Sequence, residues 1–185
     1  MQTETIYSPT DHPPKIEQTF YEQPLNETIR LFLQLDYQLQ AISKNNHINT
    51  EHASLLTIEH IAKTLSILER PDLKSKITQS LTQHAMTLNQ VAQFDNVNTS
   101  KLNQILSKLD IHIEYLHQHQ NKLCQTLREN SFLQHLKLQS CKSCGICRNE
   151  LPRLDYWLKK PFSSRQKDLL YWGNELLEVH SMITL

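Results

Sequence analysis

The stretch TEHASLLTIEHIAKTLSILE, residues 50–69, shows most clearly how this chain folds. Its apolar side chains return every three or four residues, a spacing that places them on one face of an α-helix. These positions are Leu55, Ile58, Ile61, Leu65 and Leu68. Thr50 can accept hydrogen bonds from the first amide groups of that helix, and Pro71 stands where the helix must end. The stretch therefore predicts an amphipathic helix over residues 50–69.

Helical spacing continues on both sides of this stretch. Before it, Pro24 or Asn26 can begin a first helix, because proline suits the first turn and asparagine caps it. The apolar positions of that helix are Leu25, Ile29, Phe32, Leu33, Leu39 and Ile42. After it, Pro71 can open a third helix. Its apolar positions are Leu73, Ile77, Leu81 and Leu88. The spacing therefore predicts two further amphipathic helices, one on each side of the second.

The remainder of the chain is predicted to hold further helices, separated by a loop at VAQFDNVNT and by an irregular loop over the cysteine segment. A fourth helix begins at Thr99 or Ser100 and is expected to run through Leu123. Short helices are expected over residues 132–137 and 152–160. Ser163 or Ser164 can cap a last helix, which Gly173 weakens. One face of that helix carries Leu169, Trp172, Leu176 and Val179.

Composition supports an all-α helical bundle. The 185 residues include two glycines, whereas hairpins and bulges of sheet proteins need this residue often. Residues 1–18 are polar and contain three prolines, so we expect a disordered N-terminal tail followed by a helical domain over residues 19–185.

Charge is divided unevenly along a chain whose formal net charge is zero. Residues 122–167 hold ten Lys and Arg against three acidic residues, Glu129, Glu150 and Asp155. This segment is a candidate surface for an acidic partner, and a solvated helical face with dispersed lysines remains the alternative.

The chain shows no sign of export or membrane insertion. No apolar run approaches the roughly 18 residues that span a bilayer, and the N-terminus lacks a basic segment followed by an apolar one. Four cysteines without an export signal indicate a reducing compartment. We therefore expect a cytosolic protein.

The run SCKSCGIC raises the possibility of a metal or redox site at Cys141, Cys144 and Cys147. Continuing the iron–sulfur spacing reaches Leu151 where a fourth cysteine is needed, although Pro152 is in place. The other cysteine, Cys124, lies in an apolar helical pattern. We expect no metal and no cofactor, and a small metal-binding or thiol-redox protein remains the alternative.

Catalytic motifs are missing from the sequence. It holds no GxSxG, no glycine-rich phosphate loop and no HExxH. It also lacks interleaved aromatic and basic residues of the kind that read nucleic acid. We predict a protein that is neither an enzyme nor a nucleic-acid binder.

Two segments together resemble the ZapD family of Z-ring-associated cell division proteins. The first, YEQPLNETIR, carries Tyr21, Glu22, Pro24, Leu25, Asn26, Glu27 and Arg30. The second carries Gly145, Cys147, Glu150, Leu151, Pro152, Leu154, Trp157 and Leu158. The pair Glu69–Arg70 and the LRE that contains Arg128 also match the family.

The resemblance implies a cytoplasmic homodimer at midcell that binds the division GTPase FtsZ and bundles its protofilaments into the Z-ring. It implies recognition of the FtsZ C-terminal tail by basic residues. Those expected are Arg30, Arg70, Arg128, Arg148, Arg153, Lys159 and Lys160. Three positions that are basic in the family are Gln34, Ser131 and Asp155 here, and the last four residues of the set could compensate for them. It also implies a C-terminal β-rich domain, and we expect this chain to stop before it, near Met182.

Overall fold

The computed structural model describes residues 23–94, 97–118, 123–140, 146 and 150–184. Within these ranges it has eight helices and no strand, which confirms the all-α fold class. The helices are α1 (Glu27–Asn45), α2 (Glu51–Leu68), α3 (Leu73–Val91), α4 (Thr99–Gln118), α5 (Gln125–Glu129), α6 (Ser131–Ser140), α7 (Pro152–Leu158) and α8 (Phe162–Ile183). The expected tail, residues 1–18, lies outside the described residues.

Helix α2 is the central element of the bundle, since α1, α6, α7 and α8 all pack against it. Its polar residues Ser54, Thr57 and Thr64 are buried together with its leucines and isoleucines. Their hydroxyl groups donate to main-chain oxygens one turn earlier, so the buried polar atoms are satisfied inside the helix. This explains how a helix with a modest apolar stripe can be surrounded on several sides.

The start of each of the first two helices is set by its cap, as predicted. Asn26 Oδ1 accepts from the amide of Ile29 at 2.9 Å, and Thr50 Oγ1 accepts from the amide of Ala53 at 3.0 Å. The last helix differs from the prediction, because α8 begins at Phe162 after Pro161 without a side-chain cap. The ring of Pro161 fixes its φ, at −52°, directly before the first turn of α8.

The buried face of α1 differs from the predicted one. Leu25 lies before the helix and is 91% exposed, and Ile29 is also exposed. The core receives Leu31 and Leu35 together with the predicted Leu39 and Ile42. The predicted set was wrong at its N-terminal end because α1 turns its opposite side toward α2 and α8 there.

The prediction that the fourth helix runs through Leu123 is also wrong. Helix α4 ends at Gln118, and Cys124 has a φ of 52°, in the left-handed region that a right-handed helix cannot pass through. The chain turns at this point and begins the short helix α5. None of the described helices combines the length and low polarity needed to cross a membrane.

Candidate functional site

Three aromatic rings from separate helices form the centre of the candidate site. Phe132 of α6, Trp157 of α7 and Trp172 of α8 lie with ring centroids 5.9–6.1 Å apart. Both tryptophans are buried, and the indole Nε1 of Trp157 donates to Asp168 at 2.8 Å. Rings at such separations stabilise one another beyond the area that they bury. The cluster therefore joins three helices at one fixed point.

This cluster forms the floor of an open cleft, which we call the aromatic cleft. It encloses about 670 Å³, a volume within the range of roughly 300–1,000 Å³ that is typical of ligand sites. Its lining consists of Asn130, Ser131, Phe132, Arg153, Tyr156, Trp157, Lys160, Asp168, Tyr171 and Trp172. Tyr156 and Tyr171 are exposed and stand at its rim.

Two of the predicted basic residues belong to the aromatic cleft. The guanidinium of Arg153 lies 6.0 Å from the ring centroid of Phe132, and the ammonium of Lys160 lies 5.9 Å from that of Tyr156. Arg153 also donates weakly to Ser131 Oγ, at 3.4 Å. Within the described residues, neither cation forms an ion pair with a carboxylate. A contact with an aromatic ring leaves the positive charge of the side chain without a counter-charge.

A second cleft, which we call the polar cleft, is lined by residues of α5 and α6 and by the residue that follows α2. It encloses about 430 Å³ and is lined by Glu69, Gln125, Arg128, Glu129 and Gln134. Here the charges are paired: Lys137 Nζ lies 2.5 Å from Glu69 Oε1, and Gln134 donates to the same oxygen at 3.3 Å. Burial would raise the pKa of Glu69, but these two hydrogen bonds outweigh it and lower that pKa.

Arg128 serves the fold at the edge of the polar cleft. Its guanidinium donates to the main-chain oxygen of Leu68, the last residue of α2, and its Nε is buried without a partner in the described part of the chain. Burial lowers the pKa of Arg128, and the charge of Glu69 partly offsets this. A cation at the C-terminal end of a helix stabilises carbonyl groups that have no partner in the helix.

The other predicted basic residues are dispersed. Arg70 bonds Asp72 at 3.4 Å in the turn after α2, and Arg30 lies 3.6 Å from Glu27 at the exposed start of α1. Lys159 pairs with Asp155 at 2.5 Å, one helical turn away. Arg148, like Cys141, Cys144 and Cys147, lies outside the described residues. The structure thus brings Arg153 and Lys160 into one cleft and leaves Arg30 apart from it.

Sequence reasoning missed most of the aromatic residues of the site, although the sequence carries a signal for them. The dipeptide Tyr–Trp occurs twice, at residues 156–157 and 171–172. In each pair the tryptophan is buried in the cleft floor and the tyrosine is exposed at the rim. Consecutive helical residues point about 100° apart, so one dipeptide can supply both floor and rim.

The thiol of Cys124 does not have the environment of a reactive cysteine. It donates to the main-chain oxygen of Glu175 at 3.4 Å, and burial together with the nearby charge of Glu175 raises its pKa to about 12. Among the residues that the structure describes, no group of three or more His, Cys, Asp or Glu is arranged to hold a metal ion.

These features define a class: an all-helical protein with an open aromatic and basic cleft on its surface. The chain belongs to the ZapD family of cell division proteins, because the family profile, described as a cell division protein, matches residues 33–185. The predicted family resemblance is confirmed.

Individual relatives carry the same description. The chain is 36% identical over 155 residues to "Cell division protein ZapD" of Coxiella burnetii (strain RSA 331 / Henzerling II), covering 84% of this chain and 60% of the relative. It is 28% identical over 163 residues to that of Photorhabdus laumondii, covering 88% and 65%. It is 27% identical over 166 residues to that of Photobacterium profundum, covering 89% and 67%. The chain thus spans about 60% of the length of the Coxiella relative.

Proposed function

We propose that this chain is a cytoplasmic adaptor of the division site that binds the C-terminal tail of FtsZ. In a homodimer it would bundle FtsZ protofilaments and support Z-ring assembly, without catalysing a reaction. Membership of a cell division family supports a role in cell division. The observation that carries the binding proposal is the aromatic cleft, where Arg153 and Lys160 lie beside aromatic rings and without carboxylate partners among the described residues.

The chemistry of the aromatic cleft fits an extended peptide. Its rim tyrosines and half-buried Phe132 offer apolar surface to a side chain of the tail. Arg153 can form two parallel hydrogen bonds with a carboxylate, and Lys160 adds a point charge. Because exposed ion pairs contribute only about 0–1 kcal/mol each, affinity must come from aromatic contact and several charges together. Binding should weaken with salt.

The remaining basic residues take different parts in this proposal. Arg30 and Arg70 are exposed, but each already lies beside a carboxylate, that of Glu27 or Asp72, so they contribute less than Arg153 and Lys160. Lys159 contributes less, because it is already paired with Asp155. Arg128 positions the end of α2 beside the α5–α6 junction rather than reaching the peptide itself.

A tail peptide of FtsZ with a fluorescent label provides the test. Arg153→Glu combined with Lys160→Glu should weaken binding, measured by fluorescence anisotropy, by at least about tenfold, since two attractive contacts become repulsive. The control is Lys101→Glu with Lys108→Glu, which makes the same change in net charge on exposed positions of α4. The control should stay within about twofold of the parent chain.

Two results would count against the proposal. Equal weakening by both double variants would mean that only overall charge matters. Failure of the parent chain to bind the peptide at low salt would remove the tail as the ligand of this cleft.

A further inference from the structure

A third cleft, which we call the acidic cleft, lies next to the aromatic cleft and shares Tyr171 with it. It encloses about 470 Å³, again within the range of roughly 300–1,000 Å³ that is typical of ligand sites. Helices α4 and α8 and the chain around the start of α5 supply its walls. The residues that give it its character are Tyr115, Gln125, Tyr171, Asn174, Glu175 and Glu178.

The charge of the acidic cleft is negative and uncompensated. Among the described residues that line it, none is Lys or Arg, and within the described part of the chain neither Glu175 nor Glu178 forms an ion pair. The hydroxyl group of Tyr115 donates to Glu178. Burial, and then the Glu178 carboxylate, raise the pKa of that hydroxyl to about 12. A cation from outside would therefore meet carboxylates that have no counter-charge.

The shape of the acidic cleft favours a basic side chain over a hydrated ion. Tyrosine rings stand in its walls beside the carboxylates, and Tyr171 is 55% exposed at the border with the aromatic cleft. A guanidinium or ammonium group on an alkyl stem can contact such a ring with its stem and charge while it pairs with a carboxylate. Two glutamates on an open helix face would offer the second contact without the first.

The two neighbouring clefts carry opposite charges at a defined separation. Asp168, in the aromatic cleft, and Glu175, in the acidic cleft, are seven residues apart on α8, which is about 10 Å along the helix axis at about 1.5 Å per residue. A polyproline II peptide rises about 3.1 Å per residue and returns to the same face every three residues. Side chains three positions apart on such a peptide can therefore reach both clefts.

We propose that the aromatic cleft and the acidic cleft form one composite site for an extended peptide that carries an acidic and a basic residue three positions apart. The acidic residue meets Arg153 and Lys160, and the basic residue enters the acidic cleft. An apolar residue between them packs on Tyr171. That this peptide is the FtsZ tail rests on the proposed function, whereas the charge pattern follows from the two clefts themselves.

The first test uses four-residue peptides with both ends blocked, so that only side chains carry charge. The dipolar probe is Asp-Leu-Ala-Lys, and the acid-only probe is Asp-Leu-Ala-Gln. The adjacent-charge probe, Asp-Lys-Leu-Ala, has the composition of the dipolar probe with a different spacing. Nuclear magnetic resonance titrations of the 185-residue chain give each dissociation constant. The dipolar probe should bind at least about fivefold more tightly than either of the others.

The second test changes the acidic cleft. Glu175→Gln with Glu178→Gln should bring the dipolar and acid-only probes within about twofold of each other, because the lysine loses both carboxylates. The control, Asp110→Asn with Glu114→Gln, makes the same change in net charge at exposed positions of α4 that do not line the cleft. The control should keep the preference of the parent chain for the dipolar probe.

A third measurement needs no variant. In the parent chain, the dipolar probe should shift the amide signals of Gln125 and Asn174, which line the acidic cleft, and the acid-only probe should leave them in place. Three results would overturn the proposal: equal binding of the dipolar and acid-only probes, a preference that survives loss of both carboxylates, or no binding of the dipolar probe at about 10 mM.

This inference and the proposed function can fail separately. If the dipolar probe behaves as expected but the FtsZ tail peptide does not bind, the composite site stands and the identity of its ligand is wrong. If the tail peptide binds in the aromatic cleft but the probes show no effect of the lysine, the proposed function stands and the composite site is wrong.

Discussion

The aromatic cleft and the polar cleft contain similar numbers of charged residues, yet they differ in what those charges do. In the polar cleft, Glu69 is bonded to Lys137, and Arg128 caps the end of α2. In the aromatic cleft, Arg153 and Lys160 lie over rings. A basic residue is thus available to a partner only where the fold has given it no carboxylate or carbonyl of its own.

The largest effect should come from removing the floor of the aromatic cleft. Trp157→Ala deletes a buried ring that contacts Phe132 and Trp172, and it leaves Asp168 without its indole donor. We expect the free energy of unfolding in urea to fall by about 3–5 kcal/mol. Trp157→Phe should lose less, since it keeps a ring in place. A loss below about 1 kcal/mol for the alanine variant would show that the cluster is not part of the core.

The next effect separates the two clefts directly. Arg128→Ala should lower the free energy of unfolding by about 1–2 kcal/mol, because it removes the cation from the end of α2. Arg153→Ala should stay within about 0.5 kcal/mol, as for other surface positions. Denaturant curves measure both, and the comparison fails if Arg153 proves the costlier of the two.

The smallest effect is a pH dependence in the polar cleft. The pKa of Glu69 is lowered in the folded chain, so its ionised form stabilises the fold above the ordinary value of 4.5, and this contribution is lost as pH falls through the folded value. Glu69→Gln should cost about 0–1 kcal/mol at pH 7, because the side chain of Glu69 is 36% exposed and water screens the pair.

That difference should shrink between pH 5 and pH 3. Urea midpoints of the two chains, measured side by side, provide the check. A difference that grows toward acid would mean that the Glu69–Lys137 pair does not act as described.

Local signals made much of the fold predictable. Asn26 and Thr50 cap their helices as the sequence indicates, because capping depends on residues three positions apart. The buried side of α1 was not predictable in the same way. Leu31 and Leu35 enter the core, while Leu25 and Ile29 do not. That choice depends on where α2 and α8 lie, which no local pattern contains.

The site was predictable only in part, for the same reason. The basic composition of residues 122–167 could be counted, and the pair Asp155–Lys159 follows from helical spacing. The partner of Arg128 stands 60 residues away at Leu68, so nothing in the LRE reveals its role. The paired Tyr–Trp dipeptides were the available signal for the cleft, but their convergence depends on how α7 and α8 pack.

The central claim, that the aromatic cleft receives the FtsZ tail, can be tested through the cleft's own fluorescence. The chain has two tryptophans, Trp157 and Trp172, and both line this cleft. Adding a tryptophan-free tail peptide should therefore give a saturable change in tryptophan emission, with a midpoint that matches the anisotropy titration. Arg153→Glu with Lys160→Glu should raise that midpoint by at least about tenfold. A peptide that binds by anisotropy and leaves the emission of both tryptophans unchanged would contradict the account.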